Sequence, residues 1–136
     1  MRHIDLIVVH CSATRSNQDF PVTALIRCHA ERFGFTGYHY YITRDGQTYQ
    51  TRHEQLVGAH ALGYNRHSIG VCYEGGLTAD GRRADTRTPE QKHVLWALLK
   101  SLKADYPDAR ILGHCELPRV TKTCPNFLAS KEYAAL

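Results

Sequence analysis

The chain has 136 residues, 43% hydrophobic and 22% charged, with five cysteines, nine histidines and a formal net charge of +4. That length sets the expectation of one domain over residues 1–136 with a single core, and no apolar run approaches the roughly 20 residues that a membrane-spanning helix needs. The basic bias is mild and Lys and Arg are dispersed, which suits an acidic partner but falls short of the clustered footprint of a nucleic-acid binder.

The opening residues Met1-Arg-His-Ile-Asp5 carry a charge into the first apolar run and lack the longer apolar segment of a secretory signal. Accumulation in the cytoplasm is therefore expected. An odd number of cysteines without an export signal argues against a disulfide framework. Cys11, Cys28 and Cys72 lie in apolar contexts and are expected to be small buried hydrophobes.

Residues 4–10 predict a first strand, apolar enough to be buried on both faces as the centre of a helix-covered sheet. His10 to Thr14 then leaves as a polar loop. Val22, Leu25, Ile26, Ala30 and Phe33 follow the spacing of an amphipathic helix, with Pro21 before it and Gly34 after it. Residues 37–50 read as a hairpin turning at Asp45-Gly46. Residues 54–68 show no period and read as a long loop, a feature of compact domains that is more often functional than idle.

Residues 69–73 form another strand, and a turn-rich connection follows over 74–86. Thr88-Pro89-Glu90-Gln91 is a helix start with the hydroxyl at the cap and glutamine three positions on. The helix runs over 89–105 with Val94, Leu95, Leu98, Leu99 and Leu102 as its stripe. A strand at 109–112 and a short terminal helix within 127–136 complete the chain. Strands alternate with helices while the hairpin makes the sheet mixed, so the class is α/β or α+β around one sheet.

Two of these strands end at a histidine, His10 after Asp5-Leu-Ile-Val-Val9 and His114 after the run ending at Gly113, and Cys124 follows the second within a Pro-bounded loop. Imidazole and thiolate suit zinc, and three protein ligands with a fourth position left to water is the pattern of a catalytic site. Cys115 competes with Cys124, but neighbours on an extended segment point in opposite directions, which separates it from His114. Lys122 can place an ammonium near a developing oxyanion, and a hairpin tyrosine can orient water or a leaving group.

Val9-His-Cys-Ser-Ala-Thr14, Gly37-Tyr-His39, His60-Ala-Leu-Gly-Tyr-Asn65, Ser68-Ile-Gly-Val-Cys72 and Lys122-Thr-Cys-Pro125 together resemble the zinc-dependent N-acetylmuramoyl-L-alanine amidases of type 2. Within that group the chain is most similar to the bacteriophage lysozyme-type amidases, relatives of animal peptidoglycan recognition proteins. The resemblance spans residues 4 to about 128 and implies a mixed sheet flanked by helices. It also implies cleavage of the amide between N-acetylmuramic acid and L-alanine of the peptidoglycan stem. It implies one zinc per chain on His10, His114 and Cys124, Tyr38 and Lys122 as the catalytic pair, and a substrate groove lined by His60, Tyr64 and Asn65, with His29 and Arg66 as further members. A monomer acting on the wall after release or export, through a holin or another route, is expected. The alternatives are a non-catalytic peptidoglycan-binding module, which typically lacks the cysteine, and a regulator of another protein such as a phage RNA polymerase.

Overall fold

In the computed structural model, which describes residues 1–136, the first strand is β1 (Leu6–Cys11), buried at all six positions. A two-residue strand β2 (Thr14–Arg15) follows, then helix α1 (Val22–Phe33). The helix stops at Gly34, whose φ of 80° is the left-handed conformation that glycine adopts freely, and whose N–H donates to the Ala30 carbonyl. The hairpin consists of β3 (Tyr40–Ile42) and β4 (Thr48–Gln50), paired antiparallel. After the long loop come β5 (Ser68–Tyr73), β6 (Gly76–Leu77), helix α2 (Pro89–Asp105), β7 (Arg110–Gly113) and a short helix α3 (Ala129–Glu132). Helix α2 starts on a complete capping box: Thr88 Oγ1 accepts from Gln91 N–H at 3.1 Å and Gln91 Oε1 accepts from Thr88 N–H at 3.0 Å. No helix is long and apolar enough to cross a membrane.

The main sheet has the order β4-β3-β5-β1-β7, with β1 parallel to both neighbours and β3 antiparallel to β4, so it is mixed as expected. Side chains alternate between faces. Ile7 and Val9 join Ile42, Ile69, Val71 and Ile111 under Leu95, Leu99 and Leu102 of α2. Leu6 and Val8 face the other way with Ala61 and Leu117, and on that face Leu25 of α1 packs on Tyr41 and Cys72. His10 shares the Val8 face, and the register Val9↔Gly113 leaves it beside the residue that follows β7, which is His114.

Several expectations are corrected. The polar segment after His10 is not simply a loop, because β2 pairs with β6 in a small parallel sheet. Strands of two residues carry no period to read, and they form because β1 and β5 leave the sheet side by side and keep bonding, Ser12 N–H to Tyr73 O and Thr14 N–H to Gly75 O. Helix α1 buries Leu25 and His29, whereas Ile26 is 44% exposed. The inward stripe thus passes through a histidine, and Cys28 lies outside it, exposed rather than buried. The terminal helix covers only residues 129–132 of the expected 127–136.

The C-terminal segment is anchored by Arg87, whose side chain is 2% exposed. Its guanidinium pairs with Asp85 at 2.8 Å and with Glu132, donates to the Tyr133 hydroxyl at 2.9 Å, and stacks 3.5 Å from the Phe127 ring centre. Arg87→Ala leaves two carboxylates facing each other without their cation, and the expected loss is about 2–4 kcal/mol of stability in urea denaturation.

Candidate metal centre

His10 is the penultimate residue of β1 and is 2% exposed, while His114 opens a 3-10 turn (His114–Glu116) directly after β7 and is half-buried. Their ring centres lie 4.6 Å apart. Glu116 fixes that turn, since its Oε1 accepts from Gly113 N–H at 2.9 Å and from Ser130 N–H at 3.1 Å. Gly113 is required there because a Cβ would stand 2.8 Å from the Pro125 ring.

Cys124 returns to the site on the loop that follows. Cys115 N–H donates to the Cys124 carbonyl at 2.7 Å, and the Cys11 N–H donates to the Cys124 sulfur at 3.1 Å. The ligand atoms of His10, His114 and Cys124 all lie within 4.8 Å of one another, with His10 Nδ1 and Cys124 Sγ 4.0 Å apart. Tetrahedral bonds to zinc place such atoms about 3.4–3.6 Å apart, a closure within reach of side-chain rotation. Cys115 Sγ instead lies against the Phe127 carbonyl at 4.0 Å. It lies apart from the trio, but the extended geometry expected to separate it from His114 is not what is found. The segment is a 3-10 turn, where successive side chains diverge by roughly 120°, and not an extended one.

The electrostatics suit a cation. Burial pushes the His10 imidazole well below its ordinary range, helped by His60, His114 and Lys122, and burial with Lys122 lowers His114. Both are therefore neutral donors with free lone pairs near neutral pH. The Cys11 side chain and then burial push the Cys124 thiol up, and a cation reverses that preference because a coordinating thiol is deprotonated. Two imidazoles and a thiol in reach of one point fit zinc.

Tyr38 stands beside this group, its ring centre 5.1 Å from that of His10 and 5.1 Å from that of His29. Burial and then the nearby cysteines raise its phenol well above the usual value, so it is a hydrogen-bond donor at neutral pH. His29 props it from behind, accepting from Gly37 N–H at 2.8 Å. Lys122 is exposed, and its charge is felt by both His10 and His114.

The residues expected in the groove divide. Asn65 Oδ1 accepts from His60 N–H and Ala61 N–H, each at 2.9 Å, and so staples the long loop. Tyr64 packs partly on the Leu6 and Val8 face, and Arg66 is exposed. His60 reaches the centre itself: its Nδ1 lies 2.9 Å from His10 Nε2 and its Nε2 lies 3.2 Å from Ser68 Oγ. Burial, then His39, His114 and Arg2, hold the His60 imidazole down to about 3, hence neutral. Ser68 and this contact were not legible as site features. The one signal in the sequence is Gly70 inside an apolar strand, a mark of close approach, and a Cβ there would meet the His60 ring at 2.7 Å.

Comparison with known proteins places these residues in context. The N-acetylmuramoyl-L-alanine amidase family, Amidase_2, matches residues 1–127. The endolysin of Escherichia phage T7 is 42% identical over 124 residues, covering 90% of this chain and 81% of that protein. The endolysin of Enterobacteria phage K11 is 40% identical over 120 residues, covering 88% and 78%. Among solved structures, the N-acetylmuramoyl-L-alanine amidase LysC from Clostridium intestinale superposes with a TM-score of 0.80 at 28% identity, covering 98% of this chain and 85% of that one.

Proposed function

The chain belongs to the N-acetylmuramoyl-L-alanine amidase family, and from that premise we propose a zinc-dependent peptidoglycan hydrolase that cleaves the amide between N-acetylmuramic acid and L-alanine. The observation that carries this reading is the convergence of His10 and His114, at the C-terminal ends of two adjacent parallel strands, with Cys124 of the following loop, their ligand atoms within 4.8 Å. Held there, a zinc ion would supply Lewis acidity toward the amide carbonyl and lower the pKa of water from 15.7 to about 7.

The remaining work falls to the chain's own groups. His10, closed off from solvent, and His114, half-buried, offer neutral imidazoles and need lose no proton before binding. The protonated Tyr38 hydroxyl donates to the amide oxygen as negative charge develops on it. The Lys122 ammonium complements the same charge and stands ready to pass a proton to the departing L-alanine nitrogen. The exposed Arg66 and part-exposed Tyr64 meet the stem peptide, while Asn65, His60 and His29 hold the groove in shape from beneath. The protein works as a monomer and reaches the wall after release or export by a holin or another route.

Purified protein incubated with peptidoglycan sacculi is expected to release stem peptides bearing free L-alanine amino termini. A chelator is expected to abolish the release and added zinc to restore it, with elemental analysis giving one zinc per chain. Peptide release that persists in a metal-free preparation overturns the proposal.

A further inference from the structure

The hydrogen-bond network behind His10 has a direction that the metal reading fixes. His10 Nδ1 is the nitrogen turned toward Cys124, at 4.0 Å from its sulfur, and Nε2 lies on the far edge, 2.9 Å from His60 Nδ1. An imidazole that gives its Nδ1 lone pair to a cation carries its proton on Nε2. His60 Nδ1 must then accept, which moves the His60 proton to Nε2, where Ser68 Oγ stands 3.2 Å away. We propose that Ser68 and His60 form a positioning relay that selects the tautomer and fixes the ring plane of His10 for metal binding. This inference rests on the proposed metal site.

Three features hold His60 for this purpose. Asn65 Oδ1 clamps the backbone of His60 and Ala61 at 2.9 Å each. The bare backbone of Gly70 admits the ring where any Cβ would stand 2.7 Å from it. The His10 and His60 rings meet at 90° with centres 5.0 Å apart, an edge contact that lets an N–H of one point at a nitrogen of the other. The other buried histidines behave differently. His39 accepts from Gly70 N–H at 3.0 Å and donates to the Leu56 carbonyl at 2.8 Å, with the Arg2 guanidinium 3.3 Å from the same Nε2, and His29 accepts from Gly37 N–H at 2.8 Å, so neither touches a candidate ligand through its ring nitrogens. His60 instead spends both ring nitrogens on side chains, one of them a metal-facing histidine. Partners of this kind behind a ligating histidine typically change metal affinity by 10–100-fold when removed.

The test is zinc affinity, measured by competition with a chromophoric chelator, together with the thermal midpoint of the metal-free protein. His60→Leu removes the acceptor and is expected to weaken zinc binding about 10–100-fold. His60→Asn places an amide oxygen near the former Nδ1 position and is expected to recover most of that loss. Ser68→Ala leaves the His60 tautomer unselected and is expected to weaken binding by a smaller, measurable factor. The metal-free midpoints separate this from packing, because a purely structural role lowers the midpoint in the Leu and Asn variants without separating their affinities. Wild-type affinity in His60→Leu, equal weakening in the Leu and Asn variants, or wild-type affinity in Ser68→Ala overturns the relay. If His60→Leu does not fold, the Ser68→Ala result decides, since the relay requires a loss there. A wild-type protein that takes up no zinc defeats the metal reading itself, whereas wild-type uptake with unaltered variants defeats only the relay.

Discussion

On the proposed metal site, Cys124→Ala is expected to abolish peptidoglycan hydrolysis, by at least about 10³-fold, because it would remove one of three protein ligands from an ion that would lower the pKa of water by more than eight units. The backbone around the residue has few reasons to move. The loop is tied by Cys115 N–H to the Cys124 carbonyl, a bond that alanine keeps, and what is lost is the sulfur that receives the Cys11 N–H at 3.1 Å. A folded protein with little zinc is therefore expected, visible as a drop in metal content at an unchanged circular dichroism spectrum. Cys115→Ala is the matched control, since that sulfur lies against the Phe127 carbonyl and away from the ligand trio. It is expected to keep both its zinc and its activity. A Cys124→Ala protein that still turns over at a tenth of the wild-type rate or better removes the cysteine from the site.

Much of this arrangement is legible in the sequence because it follows from strands that carry a histidine at or next to their C-terminal ends. β1 is an apolar run buried on both faces and lies inside the sheet, and its parallel pairing with the edge strand β7 brings their C-terminal ends together, so His10 and His114 become neighbours once the register is set. The capping box at Thr88 and the turn at Asp45-Gly46 are local chemistry and are likewise readable. What resists reading is contact across the fold without a period. His60 sits in an irregular loop, and nothing local links it to His10, 50 positions away. Gln91 is fully buried on α2 because Nε2 donates to the Ile42 and Glu74 carbonyls, a polar position inside an otherwise apolar stripe. His29 replaces an aliphatic residue in the α1 stripe for a similar reason, since its ring supports Gly37 and Tyr38. In each case a polar group is buried because a distant backbone or side chain satisfies it, and a pattern of hydrophobicity records the burial only where the residue is apolar.

Tyr38→Phe tests the second half of the mechanism. The substitution keeps the ring wedged between His10 and His29, with centres 5.1 Å from each, and deletes only the hydroxyl. Burial keeps that hydroxyl protonated well beyond its ordinary range, so in the proposed role it would donate throughout the working pH range and its loss could not be offset by raising pH. Removal of one donor to a developing oxyanion costs about 10²–10³ in kcat, and because the charge exists only in the transition state, KM is expected to change little. Zinc content is expected to stay at one per chain, which distinguishes this loss from that in Cys124→Ala. On the proposal that Lys122 and Tyr38 act as a unit on the same oxygen, the Tyr38→Phe/Lys122→Ala pair is expected to lose less than the product of the two single losses. Strict multiplication makes the two groups independent contributors to the same barrier, with Lys122 then acting away from that oxygen, at the leaving nitrogen. A Tyr38→Phe enzyme that keeps most of its kcat removes the phenol from the reacting oxygen and leaves it as a support for the His10 ring.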